Sequence, residues 1–442
     1  MFRPDGIAKL DRPRNFAKSS RHFMESPHRL FPLVRWLVAA TGMASLAPHP
    51  HADTPPASPA RELFSDQPHG LSEHIAAWKF VYTGESFGNV AGGLNPGGIY
   101  EGMTKFGLGI NFEKLAGWEG ATLYANTIVP HGDSLTQKYT GDLNVVSNID
   151  TYDGFRLYKF WFQQTLDDGR WSLRIGQIAA DKECFVSEGA SLFFNNAFGT
   201  VPVLSANLPA PIFPLSAPGF RGRWSPDDSF SLTGMVFSGD AGTAVNNPHN
   251  THWQFSKAGG VLGLVELAYH THRAEGDPAL PGTFKLGVFH DTKDLADYDT
   301  GRTQSGDSGA YAMADQWVYR EPASDSDSTR GLAVFGRAGV APQWNRNVTT
   351  YDVETGFNYT GLIPSRGRDL TGIALAYTRL GDAFVRSQGG GGHYELIAEL
   401  THQCVITEHI AIQPDAQYIV QPGGLGRLKN AFAIGLRITV AY

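Results

Sequence analysis

The chain has 442 residues, with 36 basic and 43 acidic side chains; 18% of its residues are charged, 12% are aromatic, and 51 are glycine. It has no uninterrupted apolar run of about 18 residues, which argues against a bundle of transmembrane helices. Its net negative charge argues against nucleic-acid binding. Cys184 and Cys404 are too few for a disulfide framework or a zinc cluster, and whether they pair is open at this point.

The first 52 residues differ from the rest. They hold eight of the 36 basic residues and three of the 43 acidic ones, so the remainder has a net charge of −12. A short apolar run from Trp36 to Ala47 follows the basic front and ends in small residues, which is the layout of a secretory signal. We therefore expect a signal peptide with its preceding segment over 1–52, a flexible periplasmic lead-in over 53–75, and a barrel over 76–442.

The dominant pattern after the lead-in has a period of two. It is clearest at the end of the chain, where apolar residues from Phe432 to Tyr442 alternate with small or polar ones from Ala431 to Ala441. Strands of membrane barrels need apolar side chains toward lipid and polar or small ones toward the lumen. Similar runs of roughly 9–11 residues recur along the chain, longer than the strands of typical sandwiches. The pattern predicts an all-β, antiparallel transmembrane β-barrel with about 14 to 18 strands.

The turns between these runs alternate between short and long. The longest irregular stretch, 181–219, is too long and too apolar for an ordinary exposed loop. We expect it to fold into the pore and narrow it. The stretch 291–309 is also predicted to be irregular.

Scattered stretches also match a known family, and their order and span carry the match more than any single piece does. In chain order they are Tyr82–Glu85, Gly117–Ala121, Gly141–Leu143, Val146–Ile149, Arg156–Tyr158, Gly176–Asp181, Ser187–Glu188, Leu192–Asn195, Phe198–Thr200, Ala217–Arg221, Pro281–Gly287, Asp315–Gln316, Pro414–Tyr418, Pro422–Gly424 and Gly435–Arg437. Over roughly residues 76–442 the chain resembles the carbohydrate-selective porins of the OprB type. The resemblance implies a barrel of 16 strands with in-folded loops, a place in the outer membrane of a Gram-negative bacterium, and passive diffusion of glucose and related sugars into the periplasm.

A pore that favours sugars needs charged or amide groups for the hydroxyls and aromatic faces for the ring, all binding weakly. We expect such groups in the long loop, on predicted lumen faces, and on the opposite wall. The candidates are Arg156, Arg174, Asp181, Glu183, Phe194, Asn195, Arg221, Arg223, Asp352, Glu354, Glu399 and Asp415. Any of these charges can instead belong to a structural ion-pair lattice, and Phe194 can equally anchor the loop to the wall.

Other functions have weaker signals. No nucleophile elbow, P-loop or dinucleotide fingerprint is present, so we expect no enzyme and no cofactor. The aspartates 291, 294, 297 and 299, and likewise Asp325 and Asp327, could hold calcium, although solvated loops are the simpler interpretation. The alternatives are a general diffusion porin and an outer-membrane barrel enzyme. Expected partners are small sugars, outer-membrane lipid and lipopolysaccharide, and the assembly machinery, but not nucleic acid; a homo-oligomer is left open.

Overall fold

A computed structural model of the protein describes residues 68, 70–243, 245–272, 279–322 and 330–442. The predicted signal peptide over 1–52 and most of the predicted lead-in lie outside the described residues, as do Asp325 and Asp327. None of the helices in the described residues has the length and apolarity needed to cross a bilayer.

Sixteen antiparallel strands in the described residues form one closed barrel. Each strand pairs with its neighbours in sequence, and β1 pairs with β16 to close the sheet. The strands are β1 Ala76–Gly93, β2 Gly97–Asn111, β3 Ala121–Gly132, β4 Arg156–Leu166, β5 Trp171–Ile178, β6 Ala217–Trp224, β7 Phe230–Ser238, β8 Val261–Thr271, β9 Gly282–Ala296, β10 Thr303–Arg320, β11 Gly331–Val340, β12 Thr349–Thr360, β13 Leu370–Leu380, β14 Tyr394–Val405, β15 Ile410–Val420 and β16 Lys429–Ala441. The predicted fold class and the implied number of strands are confirmed.

Alternation along the strands gives the barrel an apolar outer face and a polar inner face. In β16, Ile434, Leu436 and Ile438 are exposed, whereas Arg437 and Thr439 are buried. Closure of the sheet satisfies the backbone hydrogen-bonding groups that lipid cannot satisfy. The apolar outer side chains then face the hydrocarbon, and polar residues are confined to the interior.

Aromatic side chains pair at both ends of the outer face. We call the end that carries the start of β1 and the end of β16 the terminal rim, and the opposite end the loop rim. Trp171 stacks on Trp224 at the terminal rim, with ring centroids 5.9 Å apart. Tyr377 stacks between Tyr351 and Tyr394 at the loop rim, at 6.0 and 5.4 Å. These pairs are the interfacial girdles expected of a membrane barrel.

Three short α-helices lie in connections within the described residues: α1 Phe112–Ala116, α2 Pro202–Ser205 and α3 Asp382–Gln388. Connections also hold a π-helical turn, Thr136–Thr140, and the 3₁₀ turns Ala180–Lys182, Ala190–Leu192 and Asn196–Phe198. The prediction of an irregular stretch over 291–309 is wrong. β9 continues to Ala296 and β10 begins at Thr303, so only 297–302 connect them. Here the two strands extend beyond the apolar part of the barrel and carry charged residues. Such segments resemble a loop in the sequence, although the backbones of the two strands remain paired.

Candidate functional site

The connection between β5 and β6 covers 179–216, so the predicted 181–219 loop is three residues too long, and its last residues, 217–219, belong to β6. This connection is held by carboxylates on the inner face of the barrel. Backbone N–H groups of Phe185 and Gly189 donate to Glu266 of β8 (3.0 Å) and Asp315 of β10 (2.8 Å). The N–H of Val203, in α2, donates to Asp352 of β12 (2.7 Å). An irregular segment must satisfy its backbone donors, and these wall carboxylates do so.

The same segment reaches β14 and β15 on the far wall. The N–H groups of Phe194 and Asn195 donate to the two oxygens of Glu399, at 2.5 and 3.0 Å, and the Asn195 amide donates to Gln417 (3.0 Å). Asp415 accepts a hydrogen bond from Gln417 (2.9 Å). Four of the predicted sugar contacts therefore form one anchoring site for the loop.

The ring of Phe194 is fully buried and packs against charged and aromatic neighbours. The Arg437 guanidinium lies 3.8 Å from its centroid, and Phe87 meets it edge-on at 5.8 Å. Phe87 in turn lies over Gly435 of β16, where an added Cβ would come within 2.2 Å of the Phe87 ring. A fully buried ring offers no face to a passing sugar, so the packing supports the anchoring interpretation of Phe194.

A second set of predicted residues converges where the loop leaves β5. Arg174 of β5 and Arg221 of β6 are directly opposite each other in the sheet, and both face inward. Like charges at such positions repel. Glu183 from the loop offsets this repulsion, because its Oε1 pairs with Arg174 and its Oε2 accepts from Arg221 Nε at 3.0 Å.

Neighbouring polar groups fix the orientation of both guanidiniums. Gln163 Oε1 accepts from Arg174 (2.6 and 3.1 Å) and from Arg221 (3.1 Å). Arg221 also donates to the carbonyl and the hydroxyl of Ser172, at 2.8 and 2.7 Å. Arg174 stacks on the Trp161 ring, 3.7 Å from its centroid. Charge-assisted bonds of this kind hold an array of donors rigidly.

The remaining predicted residues are placed separately. Arg223 is half-buried and donates to Thr233 (3.2 Å), beside the Arg174–Arg221 pair. Asp181 accepts from Tyr158 at 3.5 Å.

Arg156 is buried, donates to the Tyr152 carbonyl at 2.5 Å and lies over the Tyr152 ring. Glu354 is fully buried 3.5 Å from Arg337, whose side chain also donates to the Phe198 carbonyl.

The sequence prediction missed several residues that complete these groups: Gln163, Trp161, Arg337 and Arg437. The period-two pattern gives a signal for the two arginines, since Arg337 and Arg437 fall on inner-face positions of β11 and β16. Nothing local in the sequence indicates which loop residue each of them meets.

The connection 133–155 also docks on inner-face acids. Its Leu143 and Asn144 N–H groups donate to Glu395 (2.7 and 3.0 Å), and Ser147 donates to Glu85 (2.7 Å). The pKa of Asp150 in this connection is raised to about 6, chiefly by burial. The hydrogen bond from Ser134 opposes the rise, and the charges of Asp142 and Glu85 add to it. Cys184 and Cys404 are both free, so they do not pair.

The aspartates considered for calcium each have different neighbours. Asp291 lies on β9 opposite Asp307 of β10. Asp297 accepts from Asn345 (2.6 Å) and from the N–H groups of the turn that follows it, and Asp299 pairs with Arg386 at 2.8 Å. Calcium binding here stays a prediction.

Comparison with known proteins decides the family. The sequence profile described as "Carbohydrate-selective porin, OprB family" matches residues 95–442. The chain belongs to the carbohydrate-selective porin family. It is 26% identical to Porin B of Pseudomonas aeruginosa over 412 residues, covering 83% of this chain and 87% of that protein. It is 23% identical to the putative porin QuiX of Acinetobacter baylyi, covering 80% and 86% respectively.

The fold agrees with the family. The high-pH structure of Pseudomonas putida OprB superimposes with a TM-score of 0.74 at 22% identity, covering 84% of this chain and 95% of that one. This carbohydrate-selective porin is thus a 16-stranded outer-membrane channel for sugars, as the resemblance implied. Membership of a porin family indicates a channel and not an enzyme.

Proposed function

We propose that this porin selects small, uncharged monosaccharides such as glucose at a constriction formed where the 181–219 segment crosses the barrel. The observation that carries the proposal is the bridging of Arg174 and Arg221 on the wall by Glu183 from the loop. The loop's hydrogen bonds to inner-face residues of β8, β10, β12, β14 and β15 support a position within the lumen.

The chemistry of this cluster suits sugar hydroxyls. Guanidinium N–H groups and an amide donate to hydroxyl oxygens, while a carboxylate accepts from hydroxyl hydrogens. Arg223 and Gln163 are half-buried beside the pair and supply the more accessible polar atoms. Glu183 lies between the two guanidiniums and offsets part of their positive charge, which reduces the advantage that anions gain over a neutral solute.

Weak binding also follows from the arrangement. Glu183, Gln163 and Ser172 already accept hydrogen bonds from the guanidiniums, so a sugar competes for the donors that remain. A channel needs such weak sites, because a tight site would trap the solute.

The guanidinium donors already have hydrogen-bond acceptors, and this also favours a second candidate function, a general diffusion pore. With Arg221 hydrogen-bonded to Glu183, Ser172 and Gln163, the cluster can act as a rigid wall that selects by size alone. The two functions differ in whether a sugar of permitted size occupies the site.

Liposome swelling distinguishes them. We expect vesicles containing the porin to swell faster in glucose than in sucrose, and Arg221→Met to reduce the preference for glucose over a neutral solute of equal size. Arg170→Met, which removes the same charge from an exposed turn, serves as the control. If a sugar and a non-sugar of equal size gave equal swelling rates, in wild type and in the variant alike, only the diffusion pore would remain.

The outer face supports contact with outer-membrane lipid, because its exposed side chains are apolar. Lipopolysaccharide and the assembly machinery remain predicted partners.

A further inference from the structure

Three side chains of metal-binding type meet on the terminal rim, far along the chain from the sugar cluster. His402 and Cys404 are two residues apart on β14, and Asp369 directly precedes β13, the strand that pairs with β14. One ligand atom of each lies within 4.8 Å of the others. Among the described residues this is the one place where three such side chains converge.

His402 and Cys404 point away from the inner face. In β14 the buried positions are Thr401, Gln403 and Val405, so the residues between them belong to the outer side of the strand. The cluster therefore faces the surroundings of the barrel and not its pore.

The histidine is oriented, but one of its ring nitrogens lacks a hydrogen-bond partner. Nδ1 lies 2.8 Å from the Thr371 hydroxyl, while the buried Nε2 makes no hydrogen bond. Asp369 Oδ2 lies 3.5 Å from Nε2. When Nδ1 carries the proton and donates to Thr371, the Nε2 lone pair faces the carboxylate oxygen, and a cation bound between the two stabilises that tautomer.

We propose that Asp369, His402 and Cys404 bind a borderline transition-metal ion of the Zn²⁺ type, with water as the fourth ligand. A thiolate, an imidazole nitrogen and a carboxylate oxygen are the three donor types found in zinc sites. The thiolate excludes hard ions such as Ca²⁺ and Mg²⁺, which take oxygen ligands. Thr371 supplies the outer hydrogen bond that fixes a metal-binding imidazole.

Arg366 limits the affinity. Its guanidinium pairs with Asp369, and Asp369 also accepts from the Val405 N–H at 3.0 Å. A positive charge beside the ligands repels a cation, so removal of Arg366 should tighten binding. A purely structural role of the Arg366–Asp369 pair predicts the reverse, since without Arg366 the turn loosens and the ligands separate.

Cobalt reports directly on such a site, because a thiolate bound to Co²⁺ gives a charge-transfer absorption. The experiment titrates Co²⁺ into the reduced, folded full-length porin in detergent and then displaces it with Zn²⁺. We expect one equivalent with a thiolate band, abolished in Cys404→Ser and His402→Ala and retained in Cys184→Ser. Thr371→Val should weaken binding about 10- to 100-fold, and Arg366→Gln should strengthen it.

A matched control is His393→Ala, which removes a histidine paired with Asp382 on the other rim and should leave the titration unchanged. Retarded electrophoretic mobility on heating checks that each variant is folded. The proposal is overturned if the folded wild type gives no thiolate band, if Cys404→Ser retains it, or if Arg366→Gln weakens binding. Sugar conductance should not change in Cys404→Ser, so failure here does not bear on the proposed function.

Discussion

At the scale of single residues, the main feature is a carboxylate shared by two arginines. Arg174 and Arg221 occupy facing positions of adjacent strands, and the side chains of both, and of Glu183, are less than a tenth exposed. Neither the two strands nor the loop can keep this arrangement alone. Glu183 therefore fixes both the position of the loop and the charge of the site.

Replacing Glu183 by glutamine should shift the ion selectivity of the channel toward anions. The change removes the one negative charge between two guanidiniums, so the net positive potential at the site increases. The reversal potential in a salt gradient measures this shift. Glu408→Gln, which removes the same charge from an exposed turn, should leave the potential unchanged, and an equal effect of both variants would refute a special role for Glu183.

At the scale of elements, the connections on the loop rim are held by inner-face acids through backbone N–H groups. Glu399 on β14 accepts two such bonds from the β5–β6 connection, and Glu395 accepts two from the connection 133–155 and a third from Gly423. A buried carboxylate with two donors is expensive to remove, since each orphaned N–H costs about 1–3 kcal/mol. Such loops are held rigidly without any secondary structure of their own.

Replacing Glu399 by leucine should release the tip of the 181–219 segment. Two buried N–H groups lose their acceptor, so we expect higher single-channel conductance, more current noise and faster entry of disaccharides. Leu400→Ala, at the next position on the same strand but on the outer face, is the control and should behave as wild type. Unchanged conductance in a folded Glu399→Leu channel would mean that this anchor does not set the width of the pore.

The connection 133–155 should respond to pH through Asp150. Its pKa of about 6 lies above the ordinary 3.8, so its contribution to stability is full below pH 3.8 and is lost as the pH rises through about 6. Asp150→Asn, which cannot ionise, should therefore melt at a higher temperature than wild type above pH 6 and at the same temperature below pH 3.8. A difference in melting temperature between Asp150→Asn and wild type that does not change with pH would contradict the assignment.

The strands could be predicted from the sequence, and the contacts of the loops could not. Alternation of apolar and polar residues is local, so the pattern ending at Tyr442 indicated β16 directly. The bond between Asn195 and Glu399 joins residues 204 positions apart, and no local pattern encodes it. Consequently Glu399 and Asp352 were predicted as sugar contacts, but their hydrogen bonds place them as loop anchors. Whether any predicted residue touches sugar stays a prediction.

At the scale of the whole molecule, one sheet separates two environments. The outer face of β16 exposes Leu436 near the middle of the strand, whereas Val440 lies near its end. Charge on the lipid face costs about 2–4 kcal/mol at the bilayer midplane and about 0–1 near the interface. The depth of each outer position is therefore measurable.

We expect Leu436→Arg to lower the free energy of unfolding by about 2–4 kcal/mol and Val440→Arg by less than about 1 kcal/mol. Reversible unfolding of the porin in lipid vesicles, followed by tryptophan fluorescence, measures both values. Equal costs at the two positions would show that this face of β16 does not cross the bilayer as the barrel requires.

The most direct test of sugar selection is the conductance of single channels of the porin in a planar bilayer, titrated first with glucose and then with sucrose. We expect discrete channels that glucose blocks reversibly and weakly, and we expect Arg221→Met to reduce the block. Channels that no sugar affects would contradict selection at the Arg174–Glu183–Arg221 cluster and would leave a barrel that sorts solutes by size alone.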